Sequence, residues 1–210
     1  MKLPAALAEL IGAGNNAVIG VDIGARTLRF NFLEKGATVF SREESFGSAQ
    51  LSENVVLIGP MGSGKSAVGR ALAAQLGMQF VDTDHLIEER CGANIPWIFD
   101  IEGEEGFRKR ETAVLEEVSS ATHSVIATGG GVVVRPENRP LLKKIGKVVY
   151  LCAPVDVLFR RVSKDKSRPL LQVENPRATY EEIFQQRDPV YRELADLVYQ
   201  GTEEISPKQV

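Results

Sequence analysis

The chain of 210 residues holds only two cysteines, Cys91 and Cys152. Neither has a second Cys or a His at metal-ligand spacing, which argues against a disulfide framework or a zinc site. It also lacks a surplus of either charge: 25 Lys+Arg against 28 Asp+Glu leave a net charge of −3. Without a basic excess there is no extended electrostatic surface for nucleic acid or an anionic membrane, so any basic residue that matters acts locally. No apolar run approaches the roughly 20 residues that span a bilayer. Residues 1–11 carry Lys2 and place Glu9 inside their apolar stretch, unlike a secretory signal, so a cytoplasmic protein is expected. What is present is ordinary for a folded chain: 43% hydrophobic and 25% charged residues, enough for one core with room for an appendage.

Residues 1–52 differ in character from the rest. A short helical pattern precedes three apolar-rich runs, at 17–24, 27–33 and 37–40, separated by glycine-containing turns, and a polar stretch from Ser41 to Glu53 follows. This reads as an N-terminal extension made of a short β meander plus a linker; such a meander is marginal by itself. Its segment 18–24 resembles the opening strand and phosphate loop of actin-like and sugar-kinase-like ATPases. From Asn54 onward a different order holds. The buried run Val55 to Ile58 is followed by a helix with Val68, Leu72 and Leu76 on one face, which is a βα unit. Strands at 79–81, 124–127 and 147–151 then alternate with helices at 84–90, 104–119, 138–145, 155–162 and 179–194. The expected fold is α/β, a doubly wound parallel sheet. Residues 163–176 are polar, contain Pro169 and have no steady period, as in a mobile lid.

The motif with the clearest chemistry is Gly59-Pro60-Met61-Gly62-Ser63-Gly64-Lys65-Ser66, a match to G-x-x-x-x-G-K-[ST] between a buried strand and an amphipathic helix. Glycines let the backbone approach phosphates, whose charge is met by loop N–H groups and the helix N-terminus. In such a loop Lys65 reaches the β- and γ-phosphates and Ser66 ligates Mg²⁺. Phe80-Val81-Asp82-Thr83-Asp84 puts two carboxylates on the C-terminal edge of the sheet, where α/β folds bind ligands. If the segment stays extended, both point to one side, one toward a metal and one toward an acceptor. Alternatively, the pair caps the helix that follows. Thr128-Gly129-Gly130-Gly131 closes a strand with three residues that bring main chain close to a ligand. Arg108, Arg161, Arg168 and Arg187 complete the set; planar guanidinium donors suit carboxylate and phosphate ligands.

In this order and spacing, the phosphate loop, D-T-D, F-R at Phe107-Arg108, G-G-G, R-P-L-L at 168–171 and R-x-P-x-Y at 187–191 resemble the shikimate kinase family, from about Leu51 to Val210. The resemblance implies a phosphate-loop NTPase fold of nucleoside monophosphate kinase-like architecture with a lid at about 163–176. It implies transfer of the γ-phosphoryl group of ATP to the 3-hydroxyl of shikimate, within aromatic amino-acid biosynthesis, with Mg²⁺ as cofactor. Asp84 would bind a shikimate hydroxyl and take its proton; Asp82, with Ser66, would hold Mg²⁺. Arg108 and Arg187 would grip the carboxylate, and Gly129, Gly130 and Gly131 would line the pocket. Gly62, Ser63, Gly64, Lys65, Ser66 and Ala67 would hold ATP, Arg168 would swing in with the lid, and Arg161 and Pro207 would flank adenine. Catalysis would fall to Lys65, Asp84 and Arg168. The partners expected are ATP and shikimate, with no nucleic acid and no membrane, and the chain is expected to be a monomer.

Two departures from the family pattern stand out: the extension before residue 53, and a C-terminus at Val210 where family members continue into a closing helix. Lower stability and weaker ATP affinity are the expected consequences of lacking that helix. Other readings of the same motifs are a different small phosphate-loop kinase, acting on gluconate or a nucleoside monophosphate, and a nucleotide-binding module without turnover.

Overall fold

Val56, Leu57 and Ile58 are almost wholly removed from solvent, and so is every residue of 124–127. Side chains alternate between the two faces of a strand, so burial at consecutive positions means that both faces of the sheet are covered. The structure, a computed structural model, describes residues 54–165 and 168–200 in full, together with the backbone of three strands within 18–45.

Those three strands, β1 (Val18–Ile23), β2 (Thr27–Glu34) and β3 (Ala37–Ser45), form an antiparallel meander in the order β1-β2-β3. β3 runs on to Ser45, pairing Ser41 with Asn31 and Ser45 with Thr27, where the polar composition suggested that a linker had begun. Ladder hydrogen bonds belong to the backbone, so a polar run can pair as well as an apolar one. The helical pattern in 1–11 lies outside the described residues, as does most of the linker.

The second unit, Glu53–Gly201, is the α/β layer structure. Its sheet has the order β5-β6-β4-β7-β8, all parallel, with β4 (Asn54–Ile58) in the centre. The chain passes through α1 (Lys65–Leu76), β5 (Gln79–Asp82), α2 (Thr83–Cys91), α3 (Ile95–Val118) and β6 (Ser124–Ala127). It continues through α4 (Asn138–Ile145), β7 (Gly146–Cys152), α5 (Val155–Val162), a 3₁₀ turn at Pro169–Leu171, α6 (Pro176–Leu194) and β8 (Leu197–Gln200). After β4 the chain goes first to the far edge at β5, then back to β6, and finally to the other side of β4. The loop after β4 therefore lies at a topological switch point, where open α/β sheets bind ligands.

Local chemistry explains the element ends. Gly64 and Gly77, both left-handed, bracket α1, and the Gly77 N–H bonds to the carbonyls of Ala73 and Ala74. Asn94 and Asn175 cap α3 and α6 through their side chains. α3 breaks at Gly103 (φ 68°, ψ −178°), which explains why sequence periodicity found its second half and missed the first, residues 95–102. β8 is short and was also missed, and α6 begins at Pro176, three residues before the expected start. The main core lies around β4, β6 and β7. A satellite cluster gathers Val157, Leu158 and Val162 of α5 with Leu171 and Tyr180. Of the segment expected to form a lid, Leu171 is buried in that cluster, whereas Ser163 and Lys164 are exposed.

Candidate active site

The phosphate loop turns sharply because Gly59, Gly62 and Gly64 all have positive φ. A Cβ on Gly59 would lie 2.3 Å from the Leu151 carbonyl oxygen of β7, so the loop sits against the neighbouring strand with no room for a side chain. The Lys65 ammonium donates to the carbonyls of Gly59 (2.8 Å) and Pro60 (3.0 Å) inside the loop. Burial lowers its pKa to about 8, against the pull of the Asp84 carboxylate, and Arg168 lowers it further.

The D-T-D segment departs from the extended geometry. Asp82 ends β5 and is the N-cap of α2: its Oδ1 accepts from the N–H of Asp84 (3.1 Å) and of His85 (3.5 Å). Thr83 and Asp84 are already helical, so the two carboxylates diverge in role because one precedes the helix and the other sits in its first turn. Asp82 Oδ2 accepts from the Ser66 hydroxyl at 2.6 Å. A hydroxyl and a carboxylate are hard oxygen donors of the kind Mg²⁺ takes, and this ion commonly completes its shell with waters and nucleotide phosphates. Among the described residues no cluster of three or more His, Cys, Asp or Glu could hold a metal alone.

Thr83, fully buried, accepts from the Gly129 N–H at 3.2 Å and so ties α2 to the glycine turn. The turn glycines lack positive φ; what they supply is space. A Cβ on Gly129 would fall 2.6 Å from both Asp84 Oδ1 and Glu111 Oε1, and one on Gly131 about 2 Å from the Arg108 guanidinium. Asp84 Oδ1 and Glu111 Oε1 are buried and without hydrogen-bond partners. Burial raises the pKa of both carboxyls; Asp82 pushes Asp84 in the same direction, while Arg108 opposes the rise at Glu111.

Arg108 is buried. It donates to Glu104 through Nε and Nη2 (3.2 and 2.9 Å) and to Glu111 through Nη1 (2.8 Å). Arg187 reaches the Gly130 carbonyl at 3.2 Å. Arg168 pairs with Asp165 at 2.9 Å, and Arg161 donates to the Gly62 carbonyl at 3.0 Å. A cleft of about 430 Å³ brings together Ser66, Asp82, Asp84, Arg108, Gly129, Gly130, Gly131, Arg168 and Arg187. Glu111 joins them there, unforeseen. Arg161 and Lys65 are not among its lining, the lysine being tucked under the loop, and Pro207 lies outside the described residues.

Glu111 had a sequence signal. On α3 the buried stripe is Phe107, Arg108, Glu111, Val114, Leu115 and Val118, and two charged residues three apart on an apolar face imply a buried ion pair.

The family model for shikimate kinase matches residues 61–210. The chain belongs to the shikimate kinase family. It is 53% identical over 156 residues to the shikimate kinase of Chromohalobacter salexigens, covering 74% of this chain and 86% of that one. It is 54% identical over 157 residues to that of Actinobacillus pleuropneumoniae, covering 75% and 90%. Among solved structures, a shikimate kinase from Acinetobacter baumannii in complex with shikimate superposes with a TM-score of 0.71 at 51% identity, over 72% of this chain and 85% of that one. The Aquifex aeolicus shikimate kinase gives 0.62 at 35% identity, over 75% and 90%.

The crowding at the glycine turn yields an expected result for this shikimate kinase family member. Gly131→Ala should drive the Arg108 guanidinium from its place and raise the KM for shikimate roughly tenfold or more, about the loss of a charged hydrogen bond, with the KM for ATP unchanged. Steady-state kinetics with each substrate varied in turn checks it.

Proposed function

We propose that this kinase passes the γ-phosphoryl group of ATP to the 3-hydroxyl of shikimate, with the residues of the cleft in the following roles. The observation that carries the reading is the pair of orphaned buried carboxylate oxygens, Asp84 Oδ1 and Glu111 Oε1, beside Arg108 and Arg187. Buried acceptors without donors call for a ligand that brings hydroxyls, and the arginines call for one that brings a carboxylate. Shikimate offers both.

Asp84 accepts the proton of the attacking hydroxyl; burial and Asp82 raise its proton affinity, which suits a general base. Arg108, held by Glu104 and Glu111, and Arg187 fix the carboxylate end. Gly62 to Ala67 wrap the phosphates. Lys65 and Arg168 stabilise the charge that gathers on the transferring group, where positioning and electrostatics dominate. Ser66 and Asp82 would hold Mg²⁺, which would supply positive charge against the nucleotide's phosphates. Arg161, already against Gly62, flanks the adenine side. Closure over 163–176 excludes water that would otherwise take the phosphoryl group. The protein acts as a monomer in the cytoplasm; among the described residues no helix is long and apolar enough to cross a membrane.

An ADP-release assay with shikimate, gluconate and AMP offered in turn tests the reading. Turnover with shikimate alone is expected. Turnover with another acceptor, or nucleotide binding without acceptor-dependent turnover, would overturn it.

A further inference from the structure

α6 carries three polar side chains on one stripe. Tyr191 lies 191 − 180 = 11 residues after Tyr180, and at 3.6 residues per turn both point the same way, with Arg187 between them. Both tyrosines are buried, at 1% and 0% exposure. Both hydroxyls donate to main-chain carbonyls. Tyr180 donates to the Met61 carbonyl at 2.7 Å, inside the phosphate loop. Tyr191 donates to the Gly130 carbonyl, inside the glycine turn, beside the bond from Arg187 to the same oxygen. The two loops meet, since a Cβ on Gly130 would lie 3.3 Å from the Met61 nitrogen. One helix therefore grips, a few turns apart, the main chain of the nucleotide loop and that of the acceptor turn.

We propose that Tyr180 and Tyr191 are positioning residues that set the phosphate loop and the glycine turn at the spacing in-line transfer requires, Tyr180 acting on the ATP side and Tyr191 on the shikimate side. Transfer between two bound reactants is sensitive to displacements of an ångström or less. A phenol fixed on a carbonyl holds the loop without entering the cleft, so neither tyrosine touches substrate. Both hydroxyls remain protonated across the working range, because burial raises their pKa. The rest of the packing is apolar or aromatic: Tyr180 against Phe159, Tyr191 against Tyr150. Removing only the oxygen leaves those contacts in place. The inference rests on the assignment of ATP to the phosphate loop and shikimate to the glycine turn.

The test compares Tyr180→Phe, Tyr191→Phe and a control, Tyr150→Phe. Tyr150 is as buried as the other two, but its hydroxyl donates at 2.6 Å to Asp188, a residue that also takes a bond from Arg192, and not to either loop. Losing the donor to a half-buried carbonyl should change the affected KM roughly fivefold to tenfold. Tyr191→Phe is expected to raise the KM for shikimate and spare that for ATP. Tyr180→Phe is expected to do the reverse, and Tyr150→Phe to move neither, whatever the shifts in Tm. The proposal is overturned if either loop variant leaves both KM values unchanged, if both KM values rise together, or if Tyr150→Phe gives the same split. Failure of the underlying reading would look different: the parent enzyme itself would show no shikimate-dependent turnover.

Discussion

Lys65→Met is expected to lower kcat by on the order of 10³, the loss found when a single preorganised charge-stabilising donor is removed from a transition state. The same substitution should remove a feature of the pH–stability profile. In the ligand-free protein burial holds the Lys65 pKa at about 8, against 10.5 when unperturbed. Between those values the native state has released a proton that the unfolded state still holds, so stability rises with pH through this window. This contribution is fully present above pH 10.5 and lost as pH falls through 8, and it corresponds to about 3 kcal/mol. Denaturant unfolding at pH 7 and pH 10.5 measures it as the change in the difference between parent and variant. A difference that stays constant across that range would mean that the ammonium is not desolvated under the loop. Excess nucleotide should suppress the effect, because its phosphates add negative charge beside the buried ammonium.

Asp84→Asn should separate activity from stability in the opposite sense. Without a carboxylate to take the hydroxyl proton, kcat is expected to fall by on the order of 10² to 10⁴. In the parent, activity should fall on the acid side at a pH above the ordinary carboxylate range, because burial and Asp82 raise the pKa of the group that must be ionised. The variant should lose that acid limb. For stability the sign reverses. A carboxyl with a raised native pKa contributes stability that is present below its unfolded pKa and is lost as pH rises through the native value. At neutral pH Asp84 therefore weighs against folding, and the amide should leave Tm unchanged or higher. Calorimetry of the ligand-free proteins at pH 7.5 decides it: a Tm several degrees lower in the variant would contradict the burial argument. The pair fits the general expectation that catalytic groups are held at some cost in stability.

Much of the layer structure was legible because its signals are local. Val55 to Ile58 is apolar throughout, as a strand covered on both faces must be, and the glycine-and-lysine loop after it requires a strand before and a helix after. The element boundaries that slipped share a cause. Gly103 interrupts the period of α3, so its first half showed no clean face, and β8 is too short to register as a run. For the site, the phosphate loop, the D-T-D segment and the glycine turn each follow a strand of a parallel sheet and so arrive at one edge, whereas Arg108 and Arg187 reach the cleft from within helices. What the motifs did not convey is how those residues are held. Of the two arrangements open to D-T-D, a pair sharing one side of extended chain or a helix cap, the structure takes the cap: the helix begins one residue earlier than expected, at Thr83, and Asp82 closes it. Glu111 shows in the sequence only through its spacing from Arg108 on an apolar helix face, whereas the tyrosines of α6 act through contacts with chain 61 and 119 residues away, which no spacing rule encodes.

The double engagement of Asp82 has a practical consequence for dissecting this site. One oxygen closes the start of α2 and the other meets Ser66, so an alanine at this position would remove a structural anchor and the proposed ion ligand in a single stroke. Asparagine ranks with aspartate as a helix cap but lacks its charge. Asp82→Asn is therefore the substitution in which a lost response to magnesium reports on the ion and not on a frayed helix. The side-chain oxygen toward Ser66 can be silenced while the one beneath α2 continues to do its work.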